Sequence, residues 1–410
     1  MVERDTGVLD DAARTRLGRF GVLLLAVNLG WALPSAAATT LLQALLARQH
    51  GPDKATWLAV ITTVGAVVAV VAMIVAGAWS DRTRGRFGRR YPWMVGGTLT
   101  AAVGLALTGV APPGPLQILT FVLFQGGLNA MLAAAGALVP DRVARTSLGK
   151  ASAYTGFGYL LGNMAGGFVA AAFIGDPAVG LAVVPWTMVI AVLAMVFLVA
   201  PQRIERDPRS SASAVLRTLH PPRDRDFALV FFGRFAVVLG LMVIVFYQLY
   251  IYTDFLHVDA AQAAADIAAG GLLLGVVALL ATVGGGLLSD RLGRRRPLVV
   301  IASLLVAASA VPTVVAPGVP SLMVLYVLAG AGFGMYLSVD QALMVEVLPT
   351  VGGEAKELGM LSIANSAPSV VAPVLATLTV GLFGFRALFL LTVILAGVGG
   401  LCVAAVRRVR

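Results

Sequence analysis

Apolar runs long enough to cross a bilayer follow one another along this chain almost without pause. A membrane-spanning helix needs about 20 mostly apolar residues. Twelve such runs can be drawn, at 18–46, 55–80, 91–111, 115–139, 148–173, 179–200, 226–252, 264–289, 297–316, 320–346, 358–382 and 385–406. Charged residues make up only 12% of the 410, against roughly 25% in a soluble domain. Most of the folded surface therefore faces something other than water. A β-barrel would instead show alternating segments of about ten residues. The pattern predicts an all-α polytopic membrane protein with 12 transmembrane helices.

The chain is also duplicated. A basic knot at Gly77–Trp93, G-A-W-S-D-R-T-R-G-R-F-G-R-R-Y-P-W, returns in shortened form at Gly286–Pro297, G-L-L-S-D-R-L-G-R-R-R-P. Ser80-Asp81-Arg82 superposes on Ser289-Asp290-Arg291 at an offset of 209, and Pro92 on Pro297 at 205, so the first loop carries four extra residues. The 205 offset then holds through Val122-Leu123 with Val327-Leu328, Gly127 with Gly332, and Ala137-Leu138 with Ala342-Leu343. That period is too long for a solenoid unit and suits a duplicated half-protein. The expected organisation is a six-helix bundle at 1–200, a solvated Arg/Pro/Ser-rich linker at 201–225, and a second six-helix bundle at 226–410.

Cytoplasmic loops are enriched in Lys and Arg. With the N-terminus inside, 26 of the 30 basic residues fall on the cytoplasmic side, and only Arg48, Lys54 and Arg386 lie in outer loops. Both termini are expected in the cytoplasm of a cell that carries the protein in its plasma or inner membrane. The run Arg14 to Ala38 could be read as a signal peptide, but an uncleaved first span completes the repeat. The net charge of +10 sits in short loops between apolar runs, which argues against nucleic acid as a partner. Cys402 is a lone cysteine, and His50, His220 and His257 are widely spaced, so neither a disulfide framework nor a metal set is expected. No phosphate loop or nucleophile elbow is present, and Gly330-x-Gly332-x-Gly334 lies inside an apolar span, where it reads as helix packing. No cofactor is expected, and no enzymatic activity.

Two like-oriented six-helix halves joined by a basic linker form parallel repeats. With its doubled knot, the chain resembles a transporter of the major facilitator superfamily. The fuller loop, Ser80 to Trp93, is most similar to that of the glycoside-pentoside-hexuronide and sucrose transporter branch. The resemblance implies two bundles that rock about a central site, a monomer, and knots that latch the cytoplasmic side. It assigns that gating role to Asp81, Arg82, Asp290 and Arg291. From the residues themselves, Arg82 and Arg291 can pair with Asp141 and Glu346, which coincide at the 205 offset. Gly77 and Gly286 can admit a neighbouring backbone. Arg86, Arg89, Arg90 and Arg294 to Arg296 are expected to set topology beside lipid headgroups.

Charge inside a membrane is costly and marks function by default. Two charged residues lie well inside spans, Arg234 in helix seven and Asp340 in helix ten, at similar depth. They are expected to pair, either structurally or as a proton switch. The first half offers neutral polar groups instead: Asn28, Trp31 and Ser35 on one face of helix one, and Gln125 and Asn129 one turn apart on helix four. Tyr247, Gln248, Tyr336 and Asn365 are the candidate lining of the second half. Amides and hydroxyls beside aromatic plates suit a sugar-like solute, moved with protons. Efflux of a drug or metabolite is the alternative. The Gly156, Gly158, Gly162, Gly166, Gly167 run of helix five is expected to pack at the seam between halves. Pro34, Pro368 and Pro373 are expected to bend their helices.

Overall fold

The computed structural model describes residues 17–83, 87–143, 147–200, 224–292, 295–347 and 354–406, with the side chains at 17, 140, 148, 290, 295, 339–347, 354–363, 365 and 366 outside the description. The described chain is helical throughout. Helices α1 (Leu17–His50), α2 (Lys54–Arg82), α3 (Tyr91–Val110), α4 (Pro115–Arg142) and α5 (Leu148–Ala172) are followed by α6, which comes in two pieces, Pro177–Val183 and Trp186–Leu198. The second half supplies α7 (Arg225–Val245), α8 (Ala260–Leu292), α9 (Arg295–Val315), α10 (Val319–Val347), α11 (Glu354–Phe383) and α12 (Arg386–Ala404). Nine stretches among the described residues are long and apolar enough to cross a membrane; one of them, Gly18–Arg82, contains both α1 and α2, and Ala367–Phe383 is a shorter apolar helix. Large apolar side chains such as Phe197 and Leu280 stand 81% and 67% exposed, as lipid-facing residues of a multi-pass membrane protein do.

Local chemistry sets the helix ends. Pro115 opens α4 just after Gly114, whose φ of 128° suits glycine, and a proline in the first turn loses no helical hydrogen bond. Asp176 caps α6 by accepting from the Val179 amide at 3.4 Å. Asp224 caps α7 by accepting from the Asp226 and Phe227 amides at 3.0 and 3.1 Å. The sequence predicts α6 as one rod, yet it breaks around Pro185, which has no amide to donate. Helix α7 is likewise not continuous to 252: after Val245 come a short helix, Gln248–Tyr250, and a π-helical turn, Ile251–Phe255. Such turns are rare and are found frequently at functional sites.

Contacts divide the chain into two units, Met1–Leu45 with Val64–Ser210, and Leu46–Thr63 with Ser211–Arg410. Within the first, α3 packs on α4 and α6; within the second, α9 packs on α10 and α12. The duplicated sequence thus folds into duplicated packing, down to single atoms. The Tyr91 hydroxyl donates to the Val199 carbonyl at the end of α6 at 2.9 Å. At the 205 offset, Arg296 donates to the Ala404 carbonyl at the end of α12. A side chain at Gly127 would meet the Ala101 amide and Gly97 carbonyl of α3 at 2.5 and 2.6 Å. Its counterpart Gly332 would meet Ala302 and Val306 of α9 at 2.7 and 2.9 Å, again 205 residues on. Small residues let helices approach this closely in a membrane, and the pair explains why glycine recurs at this register. Gly330 and Gly334, for their part, face Leu274 and Ala278 of α8, the packing role read from the sequence.

The glycines of α5 correct an expectation. Gly158, Gly162 and Gly166 lie one turn apart against Leu25, Leu29 with Ala32, and Leu33 with Ala36. They therefore seat α5 on α1 within the first unit, and not at a seam between halves.

Candidate functional site

Helix α1 carries the polar residues of the first unit as a ladder. Asn28 donates to the Leu24 carbonyl at 2.8 Å and accepts from the Trp31 indole at 3.2 Å. Ser35 donates to the Trp31 carbonyl at 2.9 Å, Thr39 to Ser35 at 3.1 Å, and Gln43 to Thr39 at 3.0 Å. Each of these donors is satisfied by its own helix one turn back, so the side chains are held as a fixed polar column along α1. The Trp31 ring lies 5.4 Å from that of Tyr159 on α5, inclined at 36°. Below it a cleft of about 440 Å³ is lined by Leu24, Val27, Asn28, Met94, Ser152 and Thr155, among others. Asn129 donates to the Gln125 backbone carbonyl one turn back at 2.9 Å, and the Gln125 side chain lies beside Gly65 of α2. The structure thus joins Asn28 to Trp31, and Gln125 to Asn129, as two separate groups.

In the second unit Tyr247 is 1% exposed, and its hydroxyl donates to Thr377 of α11 at 2.8 Å. Gln248 donates to the Tyr326 hydroxyl of α10. Tyr326 and Thr377 were not among the sequence candidates; each lies far along the chain from its partner, where periodicity carries no signal. Tyr336 is 2% exposed, in an apolar cluster with Phe227, Val230, Val237 and Val306. It sits in core rather than among the other candidates. Arg234 is 2% exposed, in the middle of α7. The side chains of Asp340 and Asn365 lie outside the described residues, as do those of Asp290 and Glu346.

Among the described residues, the first knot is an ionic network with a different membership from the one expected. Arg90 reaches Asp81 at 2.6 Å, Asp141 at 3.0 Å and the Ser80 hydroxyl at 2.9 Å. Arg89 holds the other oxygen of Asp141 at 2.7 Å. Asp141 is therefore held by Arg89 and Arg90, not by Arg82, which is exposed at the end of α2. These two arginines turn inward from Gly88, whose φ is 72°, and do not face headgroups. Asp81 answers the Arg90 guanidinium. A planar guanidinium presents a fixed fork of donors to the two carboxylates, a geometry that the point charge of a lysine does not reproduce.

Gly77 and Gly286 are not close-approach positions: a side chain at Gly77 would meet only Ala133, at 3.9 Å, and one at Gly286 would meet nothing within 4 Å. Arg291, at the end of α8, is exposed. Beside the network, Arg142 donates to the Ala200 carbonyl at 2.7 Å. Burial pushes its guanidinium down from the ordinary value, while Tyr91 and Asp141 draw it back up.

A family model described as Major Facilitator Superfamily matches residues 20–284 and 230–410. The chain belongs to the major facilitator superfamily. It is a multi-pass membrane transporter of that family and not an enzyme. A curated relative, the General alpha-glucoside permease of Schizosaccharomyces pombe, is 27% identical over 167 residues, a match that spans 35% of this chain and only 29% of the permease. Among solved structures, a bacterial homolog of the human lysosomal transporter Spinster, in an inward-facing and occupied conformation, aligns with a TM-score of 0.69 at 15% identity over 96% of this chain and 95% of that one. The nucleoside transporter NupG aligns at 0.72 and 12% identity over 94% and 98%. A POT family transporter in complex with 5-aminolevulinic acid aligns at 0.70 and 13% identity over 97% and 98%. At such identities the structural likeness speaks for the fold: two six-helix repeats, as the duplicated sequence predicts.

Proposed function

We propose that this superfamily member is a secondary active transporter of a small sugar-like solute, driven by protons, working by alternating access of bundles 1–200 and 226–410. The observation that carries the reading is the α1 ladder with Trp31 set against Tyr159: a column of amide and hydroxyl groups beside an aromatic plate suits a polyhydroxylated ring. The permease match favours the same solute class. Coupling is assigned to Arg234 and Asp340. Arg234 is buried at mid-helix, and a buried guanidinium needs an anion; protonating Asp340 would release it toward solute. The basic bias of the loops orients the protein with both termini in the cytoplasm. The knot around Asp81, Arg90 and Asp141 then lies on the inner face, as a latch, and the protein works as a monomer.

A second reading has one observation in its favour. The cleft beside Asn28 is mostly apolar, with Leu24, Val27, Leu132 and Met195 in its walls, which suits an amphipathic drug or metabolite. Uptake into proteoliposomes under an imposed pH gradient separates the two. The panel is labelled mono- and disaccharides, a nucleoside and a lipophilic cation, with wild type run against Asp340→Asn. Gradient-driven sugar accumulation, lost or made pH-independent in Asp340→Asn, is the expected result. Movement of the lipophilic cation alone, against the proton gradient, refutes the sugar reading. Wild-type pH dependence in Asp340→Asn refutes the coupling role.

A further inference from the structure

The segment Leu46–Thr63 belongs by its contacts to the same unit as Ser211–Arg410, although the chain on either side of it, Met1–Leu45 and Val64–Ser210, belongs to the other. It holds the last turn of α1, the turn Gly51–Asp53 and the start of α2. Lys54, the first residue of α2, is bound there across 200 residues of sequence. Its ammonium donates to Asp254 Oδ1 at 2.8 Å and lies 2.8 Å from Oδ2. It also stands 4.8 Å from the centre of the Tyr250 ring, within cation–π range. The Thr253 hydroxyl donates to Asp254 Oδ1 at 2.8 Å, which fixes the carboxylate. Asp254 is carried by the π-helical turn Ile251–Phe255. The two charged side chains are 21% and 31% exposed.

Cations are scarce in the loops that the charge bias places outside, and water serves an isolated lysine well. This one is gripped by both oxygens of one acid, covered by an aromatic face, and opposed to a carboxylate that its own neighbour orients. We propose that Lys54 and Asp254 form a lock on the outer face, closed in this conformation and parted each time the transporter opens to that side. The inference rests on the orientation and alternating-access reading above, and adds to it a named contact. A partly exposed pair shifts a two-state balance by up to about fivefold. A lock of that strength favours one state while leaving the other populated, as a cycling transporter needs.

The test reads accessibility and requires no solute, so it stands or falls separately from the sugar and proton assignments. In a Cys402→Ser background, Thr39→Cys on the α1 ladder is labelled from outside, in right-side-out vesicles, with a membrane-impermeant thiol reagent. Lys54→Ala and Asp254→Ala should each raise the labelling rate about two- to fivefold. The exchange Lys54→Asp with Asp254→Lys should return it to the parent rate. Unchanged rates in both single variants overturn the lock. So does an exchange variant as fast as the singles, which would report local damage instead of a pair. Asp53→Cys, exposed next to Lys54, should label from outside; labelling only from inside overturns the orientation and the lock with it.

Discussion

Removing Arg90 tests the reading of the first knot most sharply, because it reverses the ranking that the family resemblance suggests. Arg90 is 8% exposed and binds two carboxylates and a hydroxyl at 2.6, 3.0 and 2.9 Å. A hydrogen bond to a charged group contributes about 1.5–3 kcal/mol, and an orphaned buried charge costs more. Not all of that is lost in Arg90→Ala. Asp81 is 30% exposed at its side chain and regains water, and Asp141 keeps Arg89. The net cost should be about 2–4 kcal/mol. Arg89→Ala breaks one contact of a side chain that is 25% exposed and should cost about 1 kcal/mol. Arg82→Ala removes an exposed charge and should fall within about 0.5 kcal/mol of wild type. Arg90→Lys should lie between wild type and Arg90→Ala, since an ammonium is a point charge without the fork. The assay is the midpoint of thermal unfolding in detergent, followed by the monodisperse fraction on size exclusion, with all four variants heated together. A loss in Arg82→Ala equal to that in Arg90→Ala refutes the assignment, as does an Arg90→Ala protein that melts with wild type.

Two further outcomes follow from single contacts. Gly127→Ala places a methyl 2.5 Å from the Ala101 amide and Gly332→Ala one 2.7 Å from the Ala302 carbonyl; each should cost about 1–3 kcal/mol and depress folded yield in membranes, whereas Gly286→Ala, with open space around it, should express normally. Asn28→Ala frees the Trp31 indole from its 3.2 Å acceptor and should raise the KM for the transported solute about tenfold, the equivalent of about 1.4 kcal/mol of binding, with a melting midpoint close to wild type.

Much of the fold was legible in the sequence because a bilayer leaves the chain few options. Length and hydropathy give the spans, and the 205-residue offset gives the duplication, which the structure repeats at Gly127 and Gly332. What escaped lies where several equivalent groups compete for one partner. Five arginines follow Asp81 within nine residues, at 82, 84, 86, 89 and 90. Spacing alone does not say which of them turns inward; the backbone at Gly88 decides it. The glycines of α5 announced a close neighbour correctly, but glycine periodicity specifies a distance and not an identity, and the neighbour is α1. The ion pair of Lys54 with Asp254 joins residues 200 apart, and nothing local to either residue marks the other. The break at Pro185 was also invisible to hydropathy, which is as high on one side of it as on the other.

The comparison of the two halves separates scaffold from site. Where the repeat is kept, the residues do structural work: Gly127 and Gly332 set a helix crossing, and Tyr91 and Arg296 each satisfy a carbonyl at the end of the last helix of their half. Even there only the bond is retained, since a phenol serves in one half and a guanidinium in the other. Where the repeat is broken, the residues have no such duty. Asp340 corresponds at the 205 offset to Ala135, one of the residues in the wall of the Asn28 cleft. The same helical position thus carries an ionisable group in one half and a methyl in the other. A carboxylate inside a membrane is retained only against a continuing energetic cost, and the helix crossing shared by both halves does not require it. The position is therefore one where the two halves differ in chemistry while sharing a helix crossing, and Asp340→Asn is the variant by which the proposed coupling in the second half is tested.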